Sequence, residues 1–176
     1  MKQRPITEKI KARLHDYIAM LREIDNQTER LDLLEAKMQA PPSPDLSGMP
    51  RGSGTPTDRT GMMVMRKMEI EEQIAKSTAE ELKERQAIEA LIQQLAKPDE
   101  RAVLRLRYFD RGEWEEITGV LFGDRADYIE KADTYQKRTF RLHGSALLAL
   151  AKVAEEDDHP TTEEAAQGHT GPAGAE

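Results

Sequence analysis

Cysteine is absent from the 176 residues, which excludes disulfides and thiolate zinc sites. Long apolar runs are missing too. No stretch approaches the roughly 18 residues of a membrane span, and MKQRPITEK at the start lacks the apolar segment of a signal peptide, so no membrane partner and a cytoplasmic protein are expected. Aromatic residues make up only 5% of the chain and hydrophobic residues 38%, against 34% charged. That balance suits a helical, surface-rich protein rather than one with a large core. Catalytic groupings are lacking as well. His15, His143, His159 and His169 have no i, i+4 spacing for a helical metal pair, and no Gly-x-Ser-x-Gly elbow occurs. Glu71-Glu72 and Glu115-Glu116 read as solvated helix surface, not as acid–base pairs. Neither an enzyme nor a cofactor is expected.

The net charge of −7 resides in one place. Residues 155–176 carry Glu155, Glu156, Asp157, Asp158, Glu163, Glu164 and Glu176 with no Lys or Arg, so residues 1–154 are neutral. This acidic, then Pro/Gly/Ala-rich tail reads as disordered. Two roles are open to it, a solubilising tail or a competitor with DNA for a basic helix.

Residues 7–39 form a first long helix. Ile10, Leu14, Tyr17, Leu21, Ile24, Thr28, Leu31, Glu35 and Met38 alternate spacings of four and three, a heptad seam polar at Thr28 and Glu35. It suits one face of a hairpin or a coiled-coil homo-oligomer through residues 10–38. Residues 40–61, APPSPDLSGMPRGSGTPTDRTG, cannot bury enough apolar surface to offset their ordering entropy and read as a loop. Their glycines lack the Lys-Ser/Thr of a phosphate loop. A second helix spans 62–97, with apolar Val64, Met68, Ile70, Ile74, Leu82, Ile88, Ile92 and Leu95 around a polar middle. Its Met cluster at 62–68 reads as adaptable packing, and Pro98 demands a bend at Lys97. Residues 1–97 are therefore expected to be an antiparallel, coiled-coil-like hairpin.

Residues 98–154 hold the only Trp. Pro98 suits a first helical position, with Asp99 and Glu100 in the favourable first turn. Ala102, Val103, Leu106 and Phe109 follow at helical spacing. Asp110-Arg111-Gly112 breaks that helix, and Trp114, Ile117, Val120 and Leu121 make a second stripe. After a long turn, Phe122 to Ala132, in which Tyr128 and Ile129 are expected to pack back, Asp133 can cap a third helix. That helix turns Thr139, Leu142, Ala146 and Leu150 inward. From Thr134 to Lys152 it carries Lys137, Arg138, Arg141 and Lys152, and no acid. Two short helices and a basic third is helix-turn-helix logic, and a purely basic face suits a duplex.

PDERAVLRLRY, then WEEI, then Arg141-x-His143-x-x-Ala146-Leu147 resembles the C-terminal helix-turn-helix domain of sigma-seventy-class sigma factors. With FGDRADY and TYQKRTFRLHGSALLAL, the chain is closer still to a phage and prophage family of unknown-function proteins that resemble sigma factors only in this domain. The resemblance covers Pro98 to Lys152. It implies an all-α fold, double-stranded DNA as partner, RNA polymerase as a further partner, and outward Gln136, Lys137, Phe140 and Arg141 in the register of the base-reading positions. Arg138 stands at the margin, and His143 at a phosphate contact or in packing. Trp114 is expected in the core. The sequence departs from the sigma pattern in its long 122–132 turn and in lacking a promoter-melting domain. The function expected is a sigma-like transcription regulator. The alternatives are a small terminase-like packaging subunit and a polymerase-binding adaptor that never touches DNA.

Overall fold

The computed structural model describes residues 3–40 and 59–158. Its regular structure is all helical, and no strand occurs among those residues. The elements are α1 (Gln3–Gln39), α2 (Arg59–Gln93), α3 (Pro98–Leu104), a π turn (Arg105–Phe109), α4 (Trp114–Phe122) and α5 (Ala132–Asp158). No described helix is long and apolar enough to cross a membrane. The expected 40–61 loop lies largely outside the described residues. Its last part does not: Arg59, Thr60 and Gly61 already belong to α2. The described residues fall into two compact units, one within residues 15–87 and the other made of residues 3–14 with 88–158.

In the first unit, α1 covers the seam its sequence declares. Tyr17 is buried, Leu21, Ile24, Leu31, Glu35 and Met38 are half-buried, and only Thr28 is exposed. On α2 the covered positions are Met63, Lys67, Ile70, Ile74, Ser77, Glu81 and Glu84. They too alternate four and three. This differs from the apolar reading, since Val64, Met68 and Leu82 are 41%, 62% and 52% exposed. Polar residues share the seam, and two of them are partnered across it: the Tyr17 hydroxyl donates to Glu81 at 2.6 Å, and Lys67 Nζ lies 2.7 Å from Glu35. The Met cluster packs less than expected, with Met62, Met65 and Met68 all more than 60% exposed.

In the second unit, α2 ends at Gln93, five residues before the proline. Leu95 is buried in the connection, and Lys97 takes the extended conformation (φ −93°, ψ 126°) that a following proline favours. Pro98 opens α3 as expected. The buried stripe then differs from Ala102, Val103, Leu106 and Phe109. Val103, Leu104 and Tyr108 are inside, because the wider π turn, closed by Asp110 N–H to Arg105 O, swings Tyr108 rather than Phe109 into the core. Arg111, at φ 55°, reverses the chain. Glu113 caps α4 through a reciprocal box with Glu116.

On α4, Ile117, Thr118 and Phe122 are buried, while Val120 is 68% exposed. The expectation for Ile129 is also overturned: it is 90% exposed. Tyr128 does pack back, its ring 5.9 Å from Tyr135. Asp133 falls inside the first turn of α5 rather than at its cap, because the helix begins at Ala132. Thr139, Ala146 and Leu150 are buried as expected, with Leu147 and Ala151 beside them. The α5 helix runs on to Asp158, so Glu155–Asp158 are helical, against the expected disorder; residues 159–176 lie outside the described residues.

Candidate nucleic-acid interface

The basic face sits on α5, and two polar contacts fix how that helix is presented. Thr118 and Thr139 are both buried, their hydroxyls 3.0 Å apart, and Thr139 passes a hydrogen bond on to Tyr135 O at 3.1 Å. A threonine pair is short enough to hold α4 and α5 close, and both threonine hydroxyls have a partner. Nearly two turns further along, the Ser145 hydroxyl donates to Glu100 of α3 at 2.6 Å, and Lys97 Nζ lies 3.0 Å from the same oxygen. Burial disfavours the Glu100 carboxylate, but these two donors more than offset it and hold its pKa below the ordinary value.

With α5 so fixed, Lys137, Phe140, Arg141 and Gly144 are exposed on one side of it. Arg138 is exposed as well, but its guanidinium lies 5.0 Å from the Phe122 ring centroid, and Phe122 stacks on Tyr135 at 5.2 Å. It is drawn back over the turn, which agrees with a marginal position. Gln136 is half-buried. Of the six residues singled out in the sequence, the structure thus brings Lys137, Phe140 and Arg141 together and sets Gln136, Arg138 and His143 around them.

His143 is packed rather than presented. Its ring makes an edge contact with Trp114 at 5.1 Å and stacks on Tyr108 at 5.8 Å, and Nε2 is 3.2 Å from the Tyr108 hydroxyl. Burial first, then the charges of Arg107 and Lys11, push its pKa down to about 4. It is therefore neutral near pH 7 and adds no positive charge to the face. Trp114 is not the sealed core residue expected. It is half-buried, with Phe140 at 4.9 Å and tilted by 60°.

One further residue completes the cluster. The Arg107 guanidinium lies 4.6 Å from the Trp114 centroid and donates to Gly112 O at 2.8 Å. Nothing in the sequence singles it out, because its direction depends on the π turn, which side-chain periodicity does not announce. Arg105, two residues earlier, is committed elsewhere: its Nε donates to both oxygens of Glu89 at 3.1 and 3.2 Å. The described residues contain no group of three or more metal-ligating side chains.

The described residues thus define an all-helical class of protein with a cation-and-aromatic face in the first half of α5. A protein-family profile described as Protein of unknown function (DUF1492) matches residues 53–138. That span takes in α2, α3, the π turn, α4 and the first turns of α5, and it stops at Arg138, short of Phe140 and Arg141. No curated protein and no solved structure matches the chain.

Proposed function

We propose that the chain is a phage-type, sigma-like transcription regulator whose α3, α4 and α5 act as a helix-turn-helix on double-stranded promoter DNA. The observation that carries this reading is the exposed Lys137–Phe140–Arg141 face of α5, on a stretch from Thr134 to Lys152 without a single carboxylate. Phosphates attract such a face without regard to sequence, and an Arg near a helix N-terminus can pair bidentately with guanine. The resemblance to the C-terminal domain of sigma factors supports the same register and adds RNA polymerase as a partner. Residues 1–97, read as a helical hairpin, serve self-association or a protein contact, and the mechanism is recruitment: α5 fixes the site while the remainder engages polymerase.

The test is selection of bound fragments from a random duplex library at two salt concentrations, with Arg141→Ala in parallel. A discrete motif that blurs at one position in the variant is the expected result, with a loss there of about 1–3 kcal/mol of discrimination. Enrichment without a motif, lost steeply with salt, would favour a small terminase-like packaging subunit. The exposed Met62, Val64, Met65 and Met68 give that second reading its support, since an exposed apolar patch suits self-assembly. No enrichment would end the DNA reading and leave a polymerase-binding adaptor.

A further inference from the structure

The one aromatic ring on the basic face is Phe140, 45% exposed on α5 with Lys137 one turn before it and Arg141 beside it. It is not a loosely held surface side chain. Trp114 backs it at 4.9 Å, and Trp114 is braced in turn by His143 at 5.1 Å and by the Arg107 guanidinium at 4.6 Å, itself anchored on Gly112 O. In front, the next turn leaves the ring uncovered. At Gly144 even an added Cβ would meet nothing within 4 Å.

We propose that Phe140 is a specificity-determining residue that reads the 5-methyl group of thymine in the major groove. The inference rests on the DNA reading above. Lys137 and Arg141 draw the face towards phosphates, so the ring between them meets base edges rather than an apolar partner surface. Those edges are polar in the major groove except at one place, the thymine methyl, which is the natural contact for an apolar side chain there. A braced ring loses little freedom on making that contact. The ligand is thus thymine-containing duplex DNA rather than duplex RNA, whose bases lack the methyl and whose major groove is too narrow for side chains.

The experiment uses the full chain and the tightest duplex from the library selection, with each thymine replaced in turn by deoxyuridine, which removes only the methyl. Binding is measured by fluorescence anisotropy for the unaltered protein, Phe140→Ala and Phe140→Leu. The expected result is one position at which deoxyuridine weakens the unaltered protein roughly fourfold, the effect of one buried methyl. Phe140→Ala should bind the two duplexes alike, and Phe140→Leu should keep part of the preference. Equal affinity of the unaltered protein for every deoxyuridine duplex would overturn the assignment while leaving DNA binding intact, as would a thymine preference that survives in Phe140→Ala. Failure to retain any duplex would overturn both readings.

Discussion

A proton on His143 would put a cation between Trp114 and Tyr108, facing Arg107 and Lys11. Its folded pKa, about 4, lies below the ordinary histidine value of 6.5. The unfolded chain therefore takes up this proton first as pH falls, and stability present above pH 6.5 is lost between there and about pH 4. Allowing for partial solvent screening, the loss is roughly 2 kcal/mol. Thermal melts between pH 7 and pH 4.5 should show it, and His143→Gln should flatten that limb. Glu100 acts in the same direction at lower pH, since a lowered carboxylate pKa gives stability that disappears as acid is added. At this scale the sequence was half legible. The inward Thr139, Ala146 and Leu150 follow from spacing alone. That His143 is packed and uncharged does not, because it depends on Tyr108 and Trp114 arriving from two other elements.

At the scale of elements, the same substitution has opposite signs at two glycines. Gly144 lies within α5 in open space, so Gly144→Ala is expected to stabilise by about 1 kcal/mol. A Cβ at Gly123 would clash with Gly119 O, backbone that cannot move aside cheaply, so Gly123→Ala should destabilise by roughly 1–3 kcal/mol. Denaturant titration of both variants decides this. In the unit of residues 15–87, a double-mutant cycle on Tyr17 and Glu81 tests the polar seam. Tyr17→Phe and Glu81→Leu should each cost on the order of 1–3 kcal/mol, by breaking a buried hydrogen bond, while the pair together should cost less than the sum of the two. Additive losses would show that the hydrogen bond is incidental. The seam of α1 can be read directly because apolar residues fill most of it. That of α2 cannot, because Lys67, Ser77, Glu81 and Glu84 occupy covered positions, and hydrophobic periodicity has no means of marking a polar residue whose partner lies on another helix.

For the whole molecule, the exposed apolar side chains of the 15–87 unit are the reason to expect self-association. Leu33, Met62, Val64, Met65 and Met68 are all more than 40% exposed, beside a cavity of about 520 Å³ lined by Leu33, Leu34, Met62, Met63 and Ile70 with Arg30, Lys37 and Arg66. Static light scattering of the full chain is expected to give a mass above that of one chain, and Met65→Glu with Met68→Glu should return it to the monomer. A monomer at every concentration would remove self-assembly from consideration. The length of α5 has a separate consequence. Lys137, Arg138 and Arg141 stand near its start and Glu155, Glu156 and Asp157 at its end, roughly 26 Å apart at the helical rise. That is about three times the screening distance of ~8 Å at physiological salt. The acids on this helix cannot bend back to neutralise the cations. Facing a polyanion, these α5 charges would contribute a torque that turns the cationic end of the helix inward and the anionic end away.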